Sequence, residues 1–250
     1  MRTERRILGM VCLCLGFFFM QLALLLSAFH GVGTDDEGYY RLQMQANILP
    51  EAGISEADLI RLDAALAEYL AGDGGALYEQ GELEGANATA IRVTVFGQDQ
   101  PAFNEKELTH MADCFELFVL LRTTCVCAII LGAILLGLGL WFRRGKGLVR
   151  SFLIGLGLLF LPAILLGAWA ALDFSAAFDF FHRMLFTNDL WLLDSRTDLL
   201  IRICPESMFA GLGLRIVRDW LMDELGLAAI VLIAGVLFRG RSGGMRDERI

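Results

Sequence analysis

The chain predicts an all-α integral membrane protein with four transmembrane helices, a mainly helical extracytoplasmic cap and an interfacial helix. Three observations carry that prediction. The mean hydropathy of +0.57 and the 56% hydrophobic content exceed those of an ordinary soluble domain. The apolar residues are gathered into four blocks, and Lys and Arg cluster at the block ends on one side.

The blocks come first. Ile7 to Phe29 contains no charge, Leu117 to Phe142 contains only Arg122, and Ser151 to Leu172 contains none. Leu225 to Phe238 is uncharged but short, and Trp220 to Phe238 becomes a full span when Asp223 and Glu224 lie at the interface. A hydrocarbon core of ~30 Å needs about 20 helical residues, so four spans follow. The first block is longer than the apolar region of a signal peptide, and SAFHG is a poor cleavage site, so it reads as an uncleaved anchor. The chain then divides into residues 1–29 (N-terminus and first span), 30–116 (cap), 117–172 (second and third spans with their turn), 173–219 (a second outer segment) and 220–250 (fourth span and tail).

Charge orients these spans. Arg2, Arg5 and Arg6 precede the first, Arg143, Arg144, Lys146 and Arg150 fill the turn between the second and third, and Arg239 and Arg241 follow the fourth. All three clusters share one side, expected to be the cytoplasm, which puts both termini inside. Gly31 to Asp113 then lies outside, with 16 acidic residues against 4 basic ones and a net charge of −12. An outer face of that sign excludes nucleic acid as a partner. Arg122 is expected to snorkel to the outer interface.

Within the cap, Ser55 with Asp58 three residues on marks a helix start. Leu59, Leu62, Leu66 and Leu70 recur at helical spacing up to Gly72 and predict an amphipathic helix. Gly72 to Ala88, rich in Gly and Glu, reads as a mobile loop, and Ile91 to Phe96 reads as a short strand. Asn104 with Glu107 is a capping arrangement for a helix running through His110 into the second span. After the third span, Phe174, Phe178, Phe181, Leu185 and Phe186 trace one helical face, as expected of a helix lying in the membrane interface, with His182 at its edge. Cys12, Cys14, Cys125 and Cys127 fall inside spans and read as structural; Cys114 and Cys204 both fall outside. No zinc-ligand spacing and no G-x-S-x-G elbow occur, so neither a metal nor a serine nucleophile is expected.

Two segments carry the chemistry. FNEKELTHMADC runs from Phe103 to Cys114, and DFSAAFDFFHRMLFTNDLWLLDSRTDLLIRICPESMF from Asp173 to Phe209. The His-Met-x-Asp core of the first, and the Phe-His, Asn-Asp-x-Trp and Thr-Asp-x-Leu-Ile elements of the second, resemble the paired motifs of a family of bacterial integral membrane proteins that includes the lipoprotein intramolecular transacylase. Cys114 and Phe115 stand where that pattern has Val-Lys, and Thr187 and Ser195 where it commonly has proline. The resemblance implies an enzyme of the bacterial cytoplasmic membrane working at the outer leaflet without a cofactor. Its partners would be a diacylglyceryl lipoprotein substrate and membrane lipid. It would move the sn-2 acyl chain of the lipoprotein's diacylglyceryl-cysteine to the α-amino group of the same cysteine, giving the lyso-form.

The residue types suit that reaction. Aminolysis of an ester needs a neutral amine, a stabilised oxyanion and a protonated leaving oxygen, and imidazoles can supply base and acid near neutrality. His110 and His182 are the catalytic candidates. Asn188, Arg196 or a backbone N–H would stabilise the oxyanion. Asp113 or Glu105 would orient His110, and Asp189 or Asp194 would orient His182. Trp191 and Asp198 complete the candidate set, against the plainer readings of an aromatic-belt residue and a helix cap. Two competing readings are a non-catalytic membrane protein whose cap binds an envelope partner or senses pH, and a metal-dependent lipid hydrolase using the same histidines.

Overall fold

A computed structural model describes residues 2–78, 91–143 and 145–247, with side chains described for 3–78, 91–143 and 145–238. Most of the Gly72 to Ala88 loop, and Arg144 of the basic turn, lie outside the described residues. The chain forms two compact units. One comprises residues 1–28, 122–168 and 217–250; the other comprises 29–121 and 169–216.

In the first unit run the apolar parts of four long helices: α1 (Arg2–Gly33), α5 (Glu105–Arg143), α6 (Leu148–Leu172) and α9 (Glu206–Asp247). Each is long and apolar enough to cross a membrane. Exposed Leu, Ile and Val line their outer faces, as a lipid solvent requires. Small residues let the helices approach. A Cβ at Gly16 would lie 2.9 Å from the Leu136 backbone nitrogen, and one at Gly139 would lie 3.0 Å from that of Leu13. Cys125, one of the cysteines read as structural, lends its Sγ to the Ala23 carbonyl at 3.5 Å. Leu13, Phe17, Leu148, Phe152 and Val231 form the buried centre, with Phe17 edge-on to Phe152 at 5.7 Å. Glu224 is buried in the protein. The indole N–H of Trp220, one helical turn before it, donates to its Oε1 at 3.1 Å, which satisfies one oxygen away from water.

The second unit holds the polar half of the chain. After α1 come α2 (Asp36–Gln45), the short α3 (Leu49–Ala52) and α4 (Glu56–Ala71). The helix start at Ser55 is as expected: its Oγ accepts the Asp58 N–H at 3.0 Å. The expected stop is also present, with Gly72 at φ 127°, a conformation that favours glycine. Leu59, Leu62, Leu66 and Leu70 are all buried. Leu77, at the start of the Gly-rich stretch, is buried too, and its carbonyl accepts the Ile91 N–H at 3.1 Å, so this end of the expected loop is pinned. The expected strand is β1 (Arg92–Val95). It pairs antiparallel with β2 (Gln98–Pro101), which the sequence reading did not anticipate, because the second strand has no apolar alternation.

Then α5 begins where the capping pair places it. Asn104 Oδ1 accepts the Glu107 N–H at 3.1 Å, and Glu107 Oε2 accepts the Asn104 N–H at 2.8 Å. The second outer segment is α7 (Phe174–Leu185), capped by Asp173, then a turn-rich stretch and α8 (Leu199–Ile203). The helix carrying the fourth span starts well before Trp220, at Glu206, because Met208 and Leu212 bury themselves in this unit's core. Glu107 Oε1 also accepts the Leu200 N–H at 2.6 Å, tying the start of α5 to that of α8. Phe103, Ile203 and Met208 fill the core around this junction.

Candidate functional site

The two motif segments fold against each other within the second unit. His110 lies on the opening turns of α5 and His182 near the end of α7. Their ring centroids are 6.2 Å apart, and both side chains are buried. His182 sits in an aromatic box. Phe178 lies 4.1 Å from it, Trp191 stacks on it at 5.0 Å with the planes 27° apart, and Phe181 meets it edge-on at 5.7 Å. Phe186 spans the pair, at 5.1 Å from His110 and 5.7 Å from His182.

Local helix geometry sets the ring orientations. His182 Nδ1 lies 2.8 Å from the carbonyl of Phe178, one turn back along α7. A carbonyl only accepts, so Nδ1 carries the hydrogen and Nε2 is left as the basic nitrogen. His110 Nε2 lies 3.7 Å from Cys114 Sγ, one turn ahead on α5, and His110 Nδ1 is buried with no hydrogen-bond partner among the described residues. Burial pulls His110 from the ordinary 6.5 down to about 4, and His182 and Lys106 push the same way against the opposing pull of Asp113. Burial also lowers His182, opposed by its bond to the Phe178 carbonyl and by Asp179. Both rings are therefore neutral at neutral pH.

The supporting candidates separate into groups. Trp191 is part of the site, as the stacking partner of His182. Asp113 and Asn188 meet, with Asn188 Nδ2 donating to Asp113 Oδ2 at 2.9 Å. Asp198 is a structural hub: it is buried and accepts from Asn104 Nδ2 at 3.0 Å, the Asp194 N–H at 2.8 Å and Thr197 Oγ1 at 2.8 Å. Asp194 and Arg196 pair with each other at 2.6 Å on the surface, which holds Asp194 at about 2. Glu105 and Asp189 are exposed. The partner that orients His182 is thus a backbone carbonyl in place of Asp189 or Asp194, because a helix offers its own carbonyl four residues back. Phe178, Phe186 and Cys114 were missed as site residues, although the i, i+4 spacing from Phe178 to His182 and from His110 to Cys114 was visible. All six cysteines, Cys114 and Cys204 included, are free. Among the described residues no three His, Cys, Asp or Glu side chains converge as metal ligands.

Beside Phe186 runs an open groove of ≈ 360 Å³. Asp113, Glu116, Leu117 and Leu120 of α5 form one wall, and Leu185, Phe186 and Asn188 the other. Its lining mixes polar and apolar side chains.

The family model for the lipoprotein intramolecular transacylase Lit matches residues 13–209, a stretch that takes in both motif segments. The chain belongs to this family. No curated protein matches the sequence. Among solved structures, the transacylase of Bacillus cereus superposes with a TM-score of 0.67 at 19% identity, covering 91% of this chain and 97% of the other. A variant of that protein with a histidine replaced by arginine gives a TM-score of 0.65 at 18% identity, covering 96% and 94%. A histidine-to-alanine variant gives 0.65 at 18%, covering 94% of each chain. At such identities the likeness speaks for the fold, and it extends over nearly the whole of this transacylase-family chain. The chain is a membrane-integral enzyme of acyl transfer, and the family implies a lipoprotein substrate.

Proposed function

We propose that this protein moves the sn-2 acyl chain of a diacylglyceryl-cysteine lipoprotein to the α-amino group of the same cysteine, and that His110 and His182 carry the reaction. The observation behind this reading is the pair of neutral, buried imidazoles 6.2 Å apart, both in contact with Phe186, which also lines the neighbouring groove. His182, whose Nε2 is basic, takes a proton from the amine as nitrogen attacks the ester carbonyl carbon. The carbonyl of Phe178 and the nearby Asp179 stabilise the imidazolium that forms. His110, held neutral by burial, offers an N–H to the developing oxyanion. When the carbon–oxygen ester bond breaks, the proton on His182 goes to the departing glycerol oxygen, so both rings end as they began. No acyl-enzyme is needed, because amine and ester belong to one molecule and holding them together supplies an effective concentration of ~10⁵ M or more.

The reading extends to topology. The basic clusters at Arg5 and Arg6 and at Arg143, Lys146 and Arg150 argue for both termini in the cytoplasm and the site at the outer leaflet of the cytoplasmic membrane. The helix α7, with Phe180, Phe181 and Met184 exposed, would lie in the interface. The test uses a host lacking other lipoprotein N-acyltransferases. His110→Ala and His182→Ala each abolish conversion of a diacylglyceryl lipoprotein to its lyso-form, read by mass spectrometry of the N-terminal peptide. Full conversion by both variants overturns the assignment.

A further inference from the structure

Two enclosed side chains of the second unit leave their acceptor oxygens unmatched. Gln43 of α2 and Asp63 of α4 are 0% and 1% exposed. Gln43 Nε2 donates to Asp63 Oδ1 at 2.8 Å and to the carbonyl of Ile203, the last residue of α8, at 2.9 Å. Both amide hydrogens are thereby used. Gln43 Oε1 and Asp63 Oδ2 are buried with no hydrogen-bond partner among the described residues. Turning the amide over gives no better match, because its oxygen would then face the Ile203 carbonyl, which only accepts.

An ionised Asp63 would also lack a counter-charge. The arginines of the elements around it are engaged elsewhere. Arg41 of α2 pairs with Asp35 and Glu37, Arg61 of α4 pairs with Asp58, and Arg202 of α8 donates to the carbonyls of Asp198 and Ala52. The charge that Asp63 feels from α2 is that of Asp36, of its own sign. Glu37, Tyr40 and Arg41 line an open cleft of ≈ 290 Å³ with Asp36 and Asp63. Tyr39 and Cys204 also lie near Asp63, and burial keeps both protonated. A carboxylate enclosed in this way loses its hydration uncompensated. Burial accordingly pushes Asp63 up to about 7, against the pull of its bond from Gln43.

One proton removes the whole mismatch. On Oδ2 it turns an orphan acceptor into a donor, and the amide oxygen of the same pair is the acceptor that lacks one. We propose that Asp63 carries this proton in mild acid, closing a two-bond acid–amide pair with Gln43, and that its loss to water at higher pH loosens the junction of α2, α4 and α8. The sign follows from which state holds the proton. Between the ordinary 3.8 and about 7 the closed junction binds it and the opened one does not, so opening becomes easier as pH rises through that window and levels off above it. The junction also braces the histidine site, since Glu107 ties α8 to the start of α5. Its proton takes no part in acyl transfer.

The experiment uses the full-length protein in micelles, with aspartate carrying ¹³C at the side-chain carboxyl. At pH 6 in D₂O the infrared spectrum should show the isotope-shifted C=O band of a protonated acid, absent at pH 9 and absent from Asp63→Asn. The label excludes glutamates, and ordinary aspartates are ionised at pH 6. Asn at position 63 offers an N–H to Gln43 Oε1 and an oxygen to Gln43 Nε2, so it keeps the pair without the titration. Hydrogen exchange of the α2 and α4 amides, followed by mass spectrometry, reads the junction. The ratio of wild-type to variant exchange rates should rise about tenfold from pH 5 to pH 6 and level off above pH 7, as one linked proton requires. A wild type without the acid band at pH 6, its Asp63 ionised and met by water, overturns the proposal, and that measurement stands even if the variant does not fold. A flat exchange ratio overturns the loosening.

Discussion

His110 should make this protein less stable in mild acid, and the size of the effect follows from its burial. In the unfolded chain the imidazole takes a proton near 6.5; in the fold it does so only near 4, because burial and the facing His182 and Lys106 outweigh the pull of Asp113. Between those values the unfolded state binds the extra proton, so stability falls as pH drops, and above 6.5 this group contributes no pH dependence. At 1.36 kcal/mol per tenfold, the cost is about 2 kcal/mol by pH 5 and about 3 kcal/mol near pH 4. The perturbation is His110→Gln, which removes the titration and keeps a polar side chain of similar size. The assay is thermal unfolding of the purified protein in micelles, followed by tryptophan fluorescence between pH 7.5 and 4. His182, also lowered by burial, titrates in both proteins, and the difference between them reads His110 together with its coupling to His182. The wild type should lose more stability than the variant over this window, by the amount above. Parallel curves would show that His110 does not resist protonation, and the neutral-imidazole mechanism would lose its basis.

Other outcomes follow from particular contacts. Trp191→Ala removes the ring stacked on His182 and should cut the conversion rate about 10-fold or more, with Trp191→Phe retaining most of it, as measured by mass spectrometry of a lipopeptide substrate. Glu107→Ala leaves the Asn104 and Leu200 N–H groups without their acceptor, and should destabilise the fold by about 1–3 kcal/mol in denaturant titration. Ser55→Ala removes only the cap of α4, and should cost about 1 kcal/mol while leaving conversion unchanged.

Much of this architecture was legible along the chain because it rests on local rules. Four apolar runs with few charges, long enough for a bilayer, predicted the spans. Ser55 and the Asn104–Glu107 pair announced helix starts because a cap needs only residues three apart, and the leucines of α4 announced its buried face by spacing alone. Where the helix of the fourth span begins was illegible from hydropathy, since Met208 and Leu212 are held by partners distant in sequence.

By itself, then, the sequence determined the membrane class, the helix starts and the two histidine-bearing segments, all consequences of composition and short-range spacing. The tertiary structure alone decided that His110 and His182 stand 6.2 Å apart, that Phe186 and Trp191 enclose them, and that Asp113 meets Asn188 across a groove. The contacts of His110 with His182 and Phe186, and of Asp113 with Asn188, join residues more than seventy positions apart, and no local periodicity encodes them. They arise when α5 and α7 bury their faces, and that same burial holds the imidazoles neutral.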